Sequence, residues 1–203
     1  MAYNILTINP GSTSTKVALF HDLEQVKTLK LSHSAEEIAR FASVADQLDW
    51  RLEIILDALK ADGIELKSLD AVIGRGGLMR PIEGGVYRVG EAMIADLSAP
   101  KRQHASNLGA LIARRIADEA GVEAYIADPV VVDELQDMAR VSGLKELPRR
   151  SIFHALNQKA IARRYAAEVG RPYGELGLVV VHMGGGISVS AHMQGRVVDT
   201  NNA

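Results

Sequence analysis

The chain has no cysteine, so neither a disulfide framework nor a thiolate metal site is open to it, which fits a reducing compartment. It also lacks an excess of charge of either sign: 23 Lys and Arg stand against 25 Asp and Glu, a formal net charge of −2. That leaves no basic field for nucleic acid, and no basic amphipathic helix marks a membrane-surface protein. No apolar window approaches the length of a transmembrane helix, and Met1 leads straight into a strand with no charged and apolar leader, so no signal peptide is expected. Neither nucleic acid nor membrane is expected as a partner, and a cytoplasmic location is. What is present is 203 residues, 47% of them hydrophobic, enough for a sizeable core and an ordinary length for one domain plus part of another.

The organising stretch is Asn9-Pro10-Gly11-Ser12-Thr13-Ser14-Thr15-Lys16, which sets glycine, hydroxyls and a lysine between two strand-like runs, Tyr3 to Ile8 and Lys16 to His21. Successive backbone N–H groups in such a turn can converge on an anion, hydroxyls add donors, and lysine supplies a point charge. The P-loop spacing GxxxxGK[ST] is absent, and a strand follows where that motif needs a helix. Taken alone, the octapeptide reads equally well as an ordinary polar hairpin.

The pattern recurs. Leu178 to Met183 is an apolar strand, Gly184-Gly185-Gly186-Ile187-Ser188 is a glycine and serine turn, and Ser190 to Met193 begins a returning strand before Gly195. Sliding one copy onto the other aligns Gly11 with Gly184 and Ala18 with Ala191. Two strand-loop-strand phosphate hairpins, one opening each half of a chain, point to duplicated domains about a nucleotide cleft, the actin-like ATPase (ribonuclease H-like) architecture.

Between the hairpins, Gln25 to Leu31 alternates as a third antiparallel strand, and Ser34 with Glu37 forms a capping-box pattern. Apolar residues from Ile38 to Leu59 then recur at helical spacing, predicting one long amphipathic helix up to Gly63, with Trp50 off its main stripe. Leu69 to Ile73 predicts a buried strand ending in Gly74-Arg75-Gly76-Gly77, and Leu78 to Arg88 a loop. Glu91 to Leu97 predicts a short helix, residues 99–107 a polar break, and Leu108 to Ala120 a helix capped by Ser106 or Asn107 and stopped by Gly121. Val122 to Ala127 predicts a strand ended by Asp128-Pro129. Asp133 to Val141 and Phe153 to Val169 predict helices, the second with a basic outer face. The element order describes an α/β domain with a mixed sheet flanked by helices over residues 1–177, with Gly170 to Gly177 as the boundary. Residues 178–203 would be the first hairpin of a second such domain.

In open α/β sheets ligands bind at the carboxyl ends of the strands, where Arg75, Asp128 and His182 fall beside the first loop. Arginine offers a planar fork to a carboxylate or phosphate, and an aspartate there could steer a metal ion or serve as a base. The plainer alternatives are a solvated loop arginine, an aspartate that forms a turn before proline, and a structural histidine at a strand end.

The segments ILTINPGSTSTKVALF, AVIGRGGLMRPIEGGVYRV, HASNLGALIA, ADPVVVDEL, RRSIFHALNQKAIARR and VVVHMGGGISVSAHMQGRVVDTNNA resemble, in order and over almost the whole chain, the acetate/butyrate kinase family of acyl kinases. The RGGL and VVDEL wording is similar to the butyrate kinase branch. The resemblance implies reversible, Mg²⁺-dependent transfer of the ATP γ-phosphoryl group to a short-chain carboxylate, butyrate or a branched relative, giving an acyl phosphate and ADP. It also implies roles. Asn9, Gly11, Ser12, Ser14 and Lys16 would position the phosphoryl group, Arg75 would hold the substrate carboxylate, and Asp128 would orient or, with Asn9, bind magnesium. His154 and His182 would line the phosphoryl path, and Gly184, Gly185 and Gly186 would let the backbone approach the nucleotide.

Family chains are longer, so the resemblance implies that the adenosine-binding half and a second catalytic arginine lie beyond residue 203, and that the full-length form is a homo-oligomer. The segment FHALNQ differs from the FHGTSH of acetate kinases, which bears on His154. Two other readings stay open: a non-catalytic carboxylate- or phosphate-binding or assembly domain, and a sugar or glycerol kinase of the same superfamily, although the acid and amide clusters of a sugar site are not seen.

Overall fold

The computed structural model describes residues 2–98 and 104–202, so residues 99–103 of the expected polar break lie outside the described residues. Two compact units emerge: Met1–Met79 with Val86–Ala127, and Arg80–Gly85 with Asp128–Ala203.

In the first unit β1 (Asn4–Pro10), β2 (Ser14–His21) and β3 (Glu24–Ser32) form an antiparallel meander. Strand β4 (Ala71–Arg75) runs parallel to β1, β6 (Glu123–Ala127) parallel to β4, and β5 (Val86–Arg88) antiparallel to β6, giving the order β3-β2-β1-β4-β6-β5. The two-residue alternation of β1 and β2 sends Leu6, Ile8 and Val17 to one face. There they pack with Leu52, Ile55 and Leu59 of α2 (Leu48–Ala61) and with Leu108, Ile112 and Ile116 of α4 (Asn107–Ala120). Burying each such side chain is worth about 1.5–3 kcal/mol. The expected mixed sheet with flanking helices is therefore present.

Three local expectations fail for physical reasons. The octapeptide loop is tighter than expected, because Pro10 pairs with Thr15 and Asn9 with Lys16, leaving four residues at the tip. The long helix is two: the Ser34–Glu37 capping box forms, but α1 (Ala35–Ile38) lasts one turn. A second reciprocal pair follows, in which Asp46 N–H donates to Ser43 Oγ and Ser43 N–H to the Asp46 carboxylate, and it restarts the chain through a 3₁₀ turn into α2. Trp50 rests on the rings of His33 and Phe41, with centroids 4.9 and 5.2 Å away. The loop expected over residues 78–88 contains β5, whose pairing with β6 was invisible in so short a run.

The expected helices α3 (Glu91–Ser98) and α4 are present, and Gly121 closes α4 with φ 81°. Ser106 does not cap α4 through its side chain, since its hydroxyl is engaged by His104.

In the second unit α5 (Ala155–Glu168) packs on β7 (Leu178–Met183) of a second meander completed by β8 (Ile187–Met193) and β9 (Arg196–Thr200). The expected helix over 133–141 is only a 3₁₀ turn, Asp137–Arg140, because Gln136 N–H donates to the Val198 carbonyl of β9 and Leu135 N–H to the Asp133 carboxylate, which Arg140 also grips at 2.9 and 2.8 Å. The outer face of α5 exposes Arg163 and Arg164 together with Leu156, Ile161 and Tyr165, while Lys159 turns inward against Glu134. Residues 128–177 group with the second meander, which differs from a division at Gly170–Gly177.

The meander β7-β8-β9 repeats β1-β2-β3 in detail. Asn9 pairs with Lys16 as His182 pairs with Ser188, and the register shift between Leu19 and Phe20 recurs between Ala191 and His192. Asp22 and Gln194, at φ 52° and 51°, turn each copy into its third strand. The second loop is one residue shorter, so Ala18 corresponds to Ser190, not to Ala191.

Candidate active site

Across four strands of the first unit the register lines up Lys30, Lys16, Asn9 and Arg75. Lys16 pairs with Lys30 and with Asn9, and the Arg75 Nη1 donates to Asn9 Oδ1 at 3.4 Å. Directly opposed lysines destabilise a sheet, so three cations in one row at the carboxyl ends of β1 and β4 suit a bound anion. Burial holds the Arg75 guanidinium below its ordinary pKa.

Glycine sets Arg75 in place. A Cβ on Gly74 would lie 2.1 Å from the Gly109 carbonyl oxygen, one on Gly109 would lie 2.2 Å from that of Arg75, and one on Gly77 would lie 2.5 Å from Asn107. Strand β4 and helix α4 thus meet backbone to backbone, and Asn107 Oδ1 accepts from Leu78 N at 2.8 Å.

Behind the first hairpin is a residue the sequence reading missed. Arg51, 1% exposed, donates to the carbonyls of Gly11 (2.9 Å) and Ser12 (3.3 Å), to Thr15 Oγ1 and to Gln47 Oε1. With those carbonyls drawn back, the loop keeps its shape without using its exposed Ser12 and Lys16. The available signal was that Gln47, Arg51 and Ile55 share the buried stripe of α2 at four-residue spacing. His104 was also missed. Its Nδ1 accepts from Ser106 N at 3.1 Å, and burial together with the Arg75 charge lowers its pKa.

In the second unit Asp128, 3% exposed and at φ 37°, accepts from Gly85 N at 2.9 Å through Oδ1 and from Arg163 at 2.7 Å through Oδ2. A carboxylate held on both oxygens orients better than it abstracts protons. His154, just before α5, stacks on His182 with centroids 3.7 Å apart and planes 8° from parallel. Asn157 meets His182 Nδ1 at 2.9 Å. Gly184 N–H closes the turn on the Gly186 carbonyl, and a Cβ on Gly184 would press on His182 at 3.3 Å. The structure thus brings Arg75, Asn9 and Lys16 together in one unit, and His154 with His182 in the other.

Among the described residues no group of three His, Asp or Glu could hold a metal ion. A magnesium ion held mainly by substrate phosphates needs only one or two protein oxygens, and the buried Asp128 carboxylate is of that donor type.

The mixed sheet with its repeated strand-loop-strand hairpin has the actin-like fold of the acetate kinase type. The acetate kinase of Porphyromonas gingivalis superposes with a TM-score of 0.72 at 17% identity, over 98% of this chain and 57% of that one. Residues 135–202 match the model of the acetokinase family. Butyrate kinase 1 and butyrate kinase 2 of Clostridium acetobutylicum are 56% and 52% identical, over 98% and 100% of this chain. The chain belongs to the acetate/butyrate kinase family. It spans 57% of the length of each of these two relatives.

Proposed function

We propose that this chain carries the carboxylate-side machinery of a butyrate kinase-type enzyme that passes phosphoryl groups between ATP and a short-chain acid. In the forward direction a carboxylate oxygen, already ionised at neutral pH, attacks the γ-phosphorus. The new C–O–P link forms as the bond to the β-phosphate oxygen breaks, and ADP leaves. The observation that carries this reading is the row Lys30, Lys16, Asn9 and Arg75, which gathers three cations in one line of the sheet.

In this reading Arg75 grips the carboxylate, and Lys16 with the Gly11 to Ser14 turn receives the phosphoryl oxygens. Asp128, fixed by Arg163 and Gly85, would orient a magnesium ion, whose charge would offset that of the phosphates. The His154–His182 stack and the Gly184-Gly185-Gly186 turn supply donors toward charge on the transferring group. Catalysis of this kind is positioning and electrostatics. A cytoplasmic homo-oligomer accompanies this reading.

The test is acyl hydroxamate formation from ATP, butyrate and hydroxylamine with and without magnesium. On the chain itself, the same row is tested by titration with butyrate and butyryl phosphate followed by NMR. Magnesium-dependent product, or shifts centred on Asn9, Lys16 and Arg75, supports the reading. Product from glycerol or a hexose but none from butyrate would overturn it.

A further inference from the structure

A continuous line of hydrogen bonds runs through the second unit from Tyr173 to His154. Tyr173 Oη lies 2.7 Å from His192 Nδ1, and His192 Nε2 lies 3.1 Å from Gln158 Oε1. Gln158 Nε2 lies 3.1 Å from the Ser188 carbonyl and 2.8 Å from Ser188 Oγ, which is 2.9 Å from His154 Nδ1. Gln158, Ser188 and His192 are all 0% exposed.

One atom sets the sense of the line. The Ser188 carbonyl oxygen can only accept, so the Gln158 amide must face it with nitrogen and present Oε1 to His192. Oε1 also only accepts, so His192 carries its proton on Nε2, and its bare Nδ1 accepts from the Tyr173 hydroxyl. At the other end Ser188 Oγ already receives Gln158 Nε2 and, at 3.4 Å, the His154 main-chain N–H. Its own proton therefore goes to His154 Nδ1, and the His154 ring proton is on Nε2.

We propose that Tyr173, His192, Gln158 and Ser188 are positioning residues that hold His154 as a neutral Nε2–H donor, so that it meets the transferring phosphoryl group as a hydrogen-bond donor and not as a base. The functional half of this statement rests on the reading of His154 as part of the phosphoryl path; the tautomer does not. Burial, aided by Lys159 and opposed by Glu134, pushes His192 down to about 4, and burial pushes Tyr173 up to about 12. Both groups therefore stay neutral through the physiological range, and the line keeps one direction.

The test is two-bond ¹H–¹⁵N correlation NMR on the chain labelled with ¹⁵N-histidine, at pH 7.5. The expected result is the Nε2–H pattern for both His154 and His192, and an Nδ1–H pattern for either overturns the proposal. The sharper arm is Gln158→Glu, read in the pH range where the carboxyl ¹³C shift shows the side chain ionised, since the carboxylate only accepts whereas the buried acid would donate. The Ser188 hydroxyl then turns toward Glu, His154 Nδ1 has to donate to Ser188 Oγ, and the His154 tautomer ratio reverses by about tenfold or more. A folded Gln158→Glu chain with His154 still in the Nε2–H form overturns the proposal. Should that variant not fold, Ser188→Ala removes the donor to Nδ1 and lowers the His154 ratio by at least about threefold, and an unchanged ratio has the same negative force. Failure of acyl hydroxamate formation would strike the proposed reaction and leave the tautomer result standing, so the two are separable.

Discussion

Lys159→Met tests the tightest buried charge arrangement in the second unit. Lys159 and Glu134, with side chains 3% and 5% exposed, meet at 2.7 and 2.8 Å. The Glu134 carboxylate also accepts from Gly84 N at 2.9 Å and Val197 N at 2.7 Å, so it ties the 80–85 segment to β9. Methionine keeps most of the lysine stem and removes only the charge. Breaking a buried pair in this way costs about 3–5 kcal/mol, because the remaining ion is left desolvated. With a urea slope of about 2–3 kcal/mol/M, the unfolding midpoint falls by about 1–2 M.

The pH dependence supplies the sign. In the native protein burial pushes the Glu134 pKa up but is outweighed by Lys159 and the two amides, so the net shift is downward. Its contribution is present above the ordinary carboxylate range and is lost as pH falls through the depressed value. In Lys159→Met the burial effect loses its main opponent and the carboxyl pKa rises. Stability is then present below the ordinary value and is lost as pH climbs through the raised one. The deficit of the variant should therefore shrink between pH 7 and pH 4.5, and adding Glu134→Gln should recover a large part of it at pH 7. Urea unfolding followed by circular dichroism reads all three. A midpoint loss below about 0.3 M, or a deficit that grows on acidification, would refute the reasoning.

His192 gives a second pH signature. With its pKa held at about 4 against 6.5, the unfolded chain takes up its proton first, and roughly 3 kcal/mol of stability drains away as pH falls from 6.5 to 4. His192→Gln should flatten that slope in urea midpoints, and an unchanged slope would assign it elsewhere. Gly74→Ala drives a Cβ to 2.1 Å from the Gly109 carbonyl and should cost about 3 kcal/mol, whereas Gly63→Ala, at φ 70° with nothing within 4 Å, should cost about 1 kcal/mol. Equal melting temperatures for the two would contradict the close-approach argument. Arg75→Ala should lower acyl hydroxamate turnover by about 10²–10³-fold with a melting temperature within a few degrees of the parent, and a large drop in melting temperature with normal turnover would reassign Arg75 to structure.

Much of this was legible in the sequence, and the gaps have physical causes. Both hairpins, β4, β6, α4 and α5 were readable because period-2 and period-3.6 patterns bury one face. The break between α1 and α2 was signalled only by Ser43 and Asp46, whose competition for backbone amides does not disturb the apolar period. Arg75, Asp128 and His182 were singled out by residue type and by position at strand ends, and His154 only through the family resemblance. Arg51 and Gln158 were not, because a polar residue on a buried helix stripe declares itself only when its partners from distant segments, Gly11 or Ser188, are in place.

The repeated hairpin sets different side chains on one scaffold. Asn9 and Lys16 occupy the register positions that His182 and Ser188 hold in the second copy. In the first copy that face is exposed, and Ile8 and Val17 bury the other. In the second copy Ser188, Ser190 and His192 point the same way and are buried, while Val181 and Val189, counterparts of Ile8 and Val17, are 49% and 41% exposed. Lysine can only donate, so the first copy can present a cation to an anion but cannot pass a hydrogen-bond direction onward. Serine accepts and donates at one atom, and that capacity is what lets the second copy link Gln158 to His154. The difference between lysine and serine at one register position thus separates an exposed cation from a buried hydrogen-bond link, without altering the strand pairing beneath it.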